Sequence, residues 1–464
     1  MRARAAHGAR WLSAVGLTAL FIARVASAAE CTRPTDPGGA QGYDYGSAQV
    51  RSFGNERVLV WYVTEGKQAV DAASSRADGV PDEVVLCAQV TSDALEAYAD
   101  MGFRSPPSDS LSPACGSNGG DGRLDVYLVA MNGADGQTVA EAGRCASDSP
   151  KQCASYLLAK TKLADYYGSL QVGVRTVLPH ETFHAVQNAY DVELDRFWAE
   201  GSAQWAAKHL DPALMDLERN LPAFFNLASR PLDAPVAGVT SGYLYGAAIW
   251  PVFLSERYGD DIVRLILEQE GIEKAPALSA TDVVLSNLQS SIAEELPLFS
   301  AWNAATGERA GVGGYQEAPN YPLVSLSELA TTGGSAITSD FSTFFYRAQL
   351  TEPMQLSIAT DTARNAARFM PLENGRARVD LVSPLPALVS GEGIVVVSGI
   401  TTKKTDAPFT LSFGPPPAVA APSSEVKGSG GCALCAPGPA SAGAIPWFSV
   451  AIGLLAAARR SRRV

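Results

Sequence analysis

Two of the four histidines in this chain, His180 and His184, stand four residues apart in RTVLPHETFHAVQNAYDVELDRFWAEGSAQWAAKHL, residues 175–210. Four residues of α-helix turn through about 400°, so the two imidazoles share one face, a turn apart, as a single tetrahedral Zn2+ requires. Pro179 suits the first position of a helix, and the spacing predicts one that starts at His180. Glu181 lies between the histidines, where its carboxylate reaches a metal-activated water without being a ligand, the place of a general base. Glu200, in Phe197-Trp198-Ala199-Glu200-Gly201, is the third ligand this reading selects. Two histidines and a carboxylate with the fourth position open are the composition of a catalytic zinc site. His209 competes for the role. If Glu200 and His209 share one helix, nine residues turn about 900° and place His209 on the opposite face, solvated beside Lys208. Asp191, Glu193 and Asp195 read as surface charges in a polar connection.

Composition narrows the partners. The net charge is −12, yet four arginines lie in the first 28 residues and four in the last six, so the body between them carries about −20. Such a surface repels phosphate, and no basic stripe offsets it, which argues against nucleic acid. Hydrophobic residues at 47% and charged residues at 18% indicate a folded body of two or three domains. Residues 30–320 mix helix and strand patterns, with a strand at Arg57–Val63, a helix from about Pro81 to Met101 and a strand at Arg123–Val129. In residues 325–414, aromatic and β-branched runs such as FSTFFYRAQL and GIVVVSGI alternate with turn residues, the pattern of a small β-sandwich. The fold class expected is therefore α+β.

Both ends read as addresses. Residues 1–28 hold Arg2, Arg4 and Arg10, an apolar stretch from Leu12 to Ala23, and Ala26-Ser27-Ala28 as a cleavage site, which together form a signal peptide. Five cysteines lie in the exported body, as an oxidising compartment allows. Cys145 and Cys153 close a short polar loop and are the expected disulfide, whereas Cys31, Cys87 and Cys115 leave one over. Residues 30–55 are the stretch that could serve as a propeptide. At the other end, a Pro/Gly/Ser linker at 415–431 leads to Cys432 and Cys435, an apolar segment from Ala444 to Ala458 and a terminal arginine cluster.

That tail, residues 432–464, resembles the MYXO-CTERM sorting signals of myxobacterial and related exported proteins. The resemblance implies transient membrane retention, processing near the cysteines by sorting machinery, and a product at the cell surface or secreted. HETFH followed by WAEGSAQW is similar to the gluzincin clan of zinc metallopeptidases, in its peptidase-MA-like form rather than the thermolysin type. DGVPDEVVLCAQVTSDALEAYADMGFRSP, GGDGRLDVYLV and SGYLYGAAIWPVFLSERYGDD extend the likeness over roughly residues 55–305. It implies a zincin-like domain acting on protein or peptide substrates, with His180, His184 and Glu200 on zinc and Glu181 as base and proton shuttle. It also implies an oxyanion donor from the following helix, for which Tyr243 and Tyr245 are both candidates.

Two other readings accompany this one. Asn118–Asp125 (NGGDGRLD) alternates oxygen side chains with glycines as calcium loops do, so Ca2+ is a second candidate cation. The body could instead be a surface adhesin whose β-sandwich binds ligand and whose zinc is structural. If the tail is a transient signal, mass spectrometry of the native protein should find its C terminus near Cys432 or Cys435. An intact Arg463 on the mature protein would make the tail a permanent anchor.

Overall fold

The computed structural model describes residues 31–111, 119, 121–146, 149–234, 241–273, 275–401 and 406–417. The leader at 1–28, the tail at 432–464 and most of the linker lie outside the described residues. Among the described residues, no helix is long and apolar enough to cross a membrane. The architecture is mixed α and β, with two sheets and a helical region between them in sequence.

The first sheet has the order β1-β2-β3-β5-β4, formed by β1 (Arg51–Gly54), β2 (Val58–Tyr62), β3 (Leu124–Val129), β4 (Gly136–Ala146) and β5 (Ser149–Lys160). The central strands β2, β3 and β5 are parallel, and both of their faces are covered, which is why they read as continuous apolar runs. Val58, Val60, Val126 and Leu128 face Val84 and Ala88 of α1 (Asp82–Asp100) and Val174 and Leu178 of a later helix. Tyr127, Val129, Tyr156 and Leu158 pack on the other face against Tyr45 and Met131. The antiparallel strand β4 is the edge. Its Ala- and Gly-rich sequence lacks two-residue alternation, so the β4–β5 hairpin was not visible in the sequence, although its cross-strand disulfide, Cys145–Cys153, was expected and forms. Cys87 is a buried free thiol.

The segment before β1 belongs to this fold. Arg33 is fully buried, and its guanidinium meets Asp109 at 2.9 Å, Asp125 at 2.5 Å and Glu141 at 2.7 Å. Burial pushes the Asp125 carboxyl up to about 7, although Arg33 and the Trp61 indole pull it back. Arg33 thus ties the segment before β1 to the first sheet. The carboxylates of the suggested calcium stretch are also engaged, Asp125 by Arg33 and Trp61 and Asp121 by Arg123 at 2.7 Å.

The helical region comprises α2 (Ala164–Tyr167), α3 (Leu170–Gln187), α4 (Arg196–Leu210), α5 (Asp216–Phe225), α6 (Ser241–Gly246), α7 (Ile249–Tyr258), α8 (Asp261–Glu273), α9 (Ala277–Asn287) and α10 (Ile292–Ala304). Helix α3 begins at Leu170, ahead of the start predicted at His180, and carries Pro179 in its interior. Packing of Val174, Val177 and Leu178 against the sheet supports the earlier turns, and the Tyr98 hydroxyl donates to the Pro179 carbonyl at 3.0 Å.

The strands after residue 325 form one sheet, not the two packed sheets of a sandwich. It consists of β6 (Ser327–Glu328), β7 (Gly334–Thr338), β8 (Thr343–Thr360), β9 (Asn365–Glu373), β10 (Arg376–Ala377), β11 (Ser383–Pro384), β12 (Ala387–Gly399) and β13 (Ala407–Gly414). Its main order is β10-β9-β12-β8-β13-β7, with β11 on β9 and β6 on β8. Alternation marks two apolar faces per strand without saying what covers them. Phe345, Met370, Ile394 and Val396 share a core with Leu296 and Phe299 of α10, whereas Val395, Val397, Phe369 and Leu411 form a separate core.

Arg33→Met removes the buried cation its carboxylates share, and should lower the unfolding free energy by about 3–5 kcal/mol. Urea denaturation measures this, and a loss below about 1 kcal/mol would show that the cluster holds without its arginine.

Candidate metal centre

Helices α3 and α4 run past each other so that His180, His184 and Glu200 meet. The His184 and His180 Nε2 atoms are 3.1 Å apart, and Glu200 Oε2 lies 3.3 Å from His180 Nε2 and 3.6 Å from His184 Nε2. A tetrahedral ion with bonds of 2.0–2.2 Å needs ligand atoms about 3.4 Å apart, so this donor set fits one divalent metal without rearrangement. Among the described residues this is the one such group of His, Cys, Asp and Glu side chains. Burial works against an ionised Glu200, but the hydrogen bonds with His180 and His184 hold its carboxyl far below the usual range. Burial likewise disfavours a charged His184, yet Glu200 and Glu181 push it up to about 9.

Glu181 lies close enough for its charge to act on both histidines but is not one of the three grouped donors. Its Oε2 lies 2.9 Å from the Thr138 hydroxyl, which also donates to the Glu181 carbonyl at 2.7 Å. Thr138 belongs to the edge strand β4, and Gly136 of the same strand passes so close that an added Cβ would stand 2.6 Å from Glu181 Cγ. Burial raises the Glu181 carboxyl, and His184, His180 and Thr138 draw it part of the way back.

The two tyrosines separate. The Tyr243 hydroxyl donates to the Pro231 carbonyl at 2.8 Å, and its ring is fully buried against Phe224. Tyr243 is a packing residue, which corrects its candidacy as an oxyanion donor. Tyr245 lies on the site side of α6, with its ring 5.6 Å from that of His180. The Glu200 charge, then burial, then Glu181 hold its hydroxyl well above the ordinary tyrosine range, so it stays protonated and able to donate. Gly201 allows this approach, because a Cβ there would meet the Ala248 nitrogen at 3.3 Å where the chain leaves α6.

His209 lies apart from the group, stacked near Trp205 at 5.6 Å and 3.9 Å from Asp260. Asp191 is not a surface charge. It is buried, pairs with Lys151 at 3.2 Å and accepts from the Glu193 backbone, and Asp195 accepts from the Ala277 N–H at the start of α9. These acids fix the connection between the two ligand helices, a role their exposed-looking sequence does not reveal. Sequence reasoning also missed Thr138, which no spacing links to the histidines. It missed Gln187 as well, three residues after His184 and so on the same side of the helix.

No family model matches this chain, and no curated protein matches it. Among solved structures, the chain is similar to Legionella pneumophila aminopeptidase A in complex with aspartic acid, at 15% sequence identity and a TM-score of 0.33. The match covers 78% of this chain, which spans 37% of that one. A likeness this weak carries no argument about fold or activity.

With His184 raised to about 9, a metal must displace a proton at any lower pH, so affinity should rise with pH and level off near that value. Between pH 6 and 8, isothermal titration with Zn2+ should show release of about one proton per ion and a tenfold gain in affinity per pH unit. Glu200→Ala should abolish stoichiometric binding and His209→Ala leave it intact. The reverse pattern would move the site to His209.

Proposed function

We propose that this chain is an exported, surface-associated zinc endopeptidase of gluzincin type. The observation that carries the reading is the meeting of His180 Nε2, His184 Nε2 and Glu200 Oε2 at 3.1–3.6 Å, with the Glu181 carboxylate close enough to interact with both imidazoles. Zinc bound by these three residues supplies a Lewis acid that acidifies water and polarises a carbonyl.

The remaining work falls to the chain's own side chains. Glu181 takes a proton from the attacking water and returns it to the leaving amine. Its raised affinity for protons suits both steps. The Thr138 hydroxyl holds the Glu181 carboxylate in place between them. The Tyr245 hydroxyl donates to the oxygen that becomes negative as the carbonyl is attacked. The unpaired edge of β4 runs beside Glu181 and offers backbone donors and acceptors to an extended peptide, giving sequence-tolerant binding of protein substrates. The leader at 1–28 and the tail at 432–464 deliver the enzyme to the cell surface or the medium. A binding protein with structural zinc would close its ion with a fourth protein ligand, and among the described residues three such donors group here.

The test is zinc content together with cleavage of casein or a peptide library by the exported protein. Glu181→Gln should keep zinc while turnover falls at least about 10²-fold. Tyr245→Phe should lower kcat about 10²-fold, whereas Tyr243→Phe should lower Tm and spare kcat. Full turnover by zinc-loaded Glu181→Gln would end the peptidase reading.

A further inference from the structure

Gln187 ends helix α3 at 2% exposure, and its side-chain amide can be oriented without ambiguity. One end of the amide lies 2.8 Å from the Ala199 carbonyl, which only accepts, so that end is the NH2 group. A second proton of the same NH2 reaches the Ser202 hydroxyl at 2.9 Å, which in turn donates to the Trp198 carbonyl at 2.6 Å. Gln187 Oε1 is therefore the atom 2.7 Å from His184 Nδ1. It too only accepts, so His184 Nδ1 must carry a hydrogen. In the neutral imidazole this leaves the lone pair on Nε2, the nitrogen that faces His180 and Glu200.

The same amide grips α4 at Ala199, the residue before Glu200. One side chain thus sets the tautomer of one ligand and the placement of another. We propose that Gln187 is the positioning residue of the metal centre, holding His184 as its Nδ1–H tautomer and fixing α4 so that Glu200 reaches the ion. This rests on the metallopeptidase reading above. A carboxylate at position 187 would keep the acceptor for His184 but set a negative oxygen against the Ala199 carbonyl, so the two tasks can be separated by substitution.

The experiment measures three quantities on the exported protein: the zinc dissociation constant by chelator competition, the visible spectrum after Co2+ loading, and Tm without metal. Gln187→Met loses both tasks, and its zinc affinity should fall about 10–100-fold with an altered cobalt spectrum and a lower metal-free Tm. Gln187→Glu should match that loss of metal-free Tm while binding zinc about three- to tenfold less tightly than the wild type, the part of the loss that belongs to α4, because the acceptor for His184 is kept. If Gln187→Met melts lower yet binds zinc as tightly as the wild type, with an unchanged cobalt spectrum, Gln187 is only structural and the proposal is overturned. If Gln187→Glu loses as much affinity as Gln187→Met, the tautomer role is overturned. Should Gln187→Met not fold, Gln187→Glu decides by its zinc affinity alone. A wild-type chain that binds no zinc would refute the metallopeptidase reading itself, a result distinct from either of these.

Discussion

Helix α3 is buried on nearly every side while carrying five polar side chains in two turns, and the surrounding structure is arranged to satisfy them. An unpartnered buried polar group costs about 1–3 kcal/mol, so a helix of this kind cannot be packed by apolar neighbours alone. Thr182 turns back to the Leu178 carbonyl at 2.6 Å, Glu181 is met by Thr138 from the sheet, and Gln187 is met by α4. His180 and His184 are left to converge with Glu200, an arrangement that needs a cation between its members, whether proton or metal. The placement of β4, of α4 and of the acid-lined connection between the helices follows from that need.

The sequence was most legible where a period and a chemistry coincide. The spacing of His180 and His184 marked one helix face, and the helix-phase comparison separated Glu200, which the structure groups with them, from His209, which it does not. The strands β2 and β3 and the helix α1 were read within a residue or two of their ends because their apolar patterns are long. The start of α3 was misread because Pro179 has a strong local preference that packing overrides. Which tyrosine faces the site could not be read from a YxY pair on a short helix. That depends on the backbone approach Gly201 allows and on a carbonyl, Pro231, distant in the fold's logic from either tyrosine.

Arg33 illustrates a second kind of illegibility. Nothing about an arginine near Pro34 suggests complete burial, and its partners Asp109, Asp125 and Glu141 lie 76 to 108 residues away. Only the assembled first sheet brings them to one guanidinium. The same assembly engages Asp125, one of the carboxylates that made Asn118–Asp125 resemble a cation loop.

The Cys145–Cys153 bridge bears on how an open sheet edge can be tolerated at all. Unpaired strand edges invite other chains to add to them, and proteins usually blunt or cover them. Here β4 keeps its outer edge beside Glu181, and the covalent tie joins it to β5 near the hairpin turn, across register shifts that would otherwise weaken the pairing. The strand can then offer its edge to a passing polypeptide without fraying into a longer, stickier ribbon. Reduction of this bond would loosen the hairpin end of β4, several residues from Thr138, while leaving His180, His184 and Glu200 chemically unchanged.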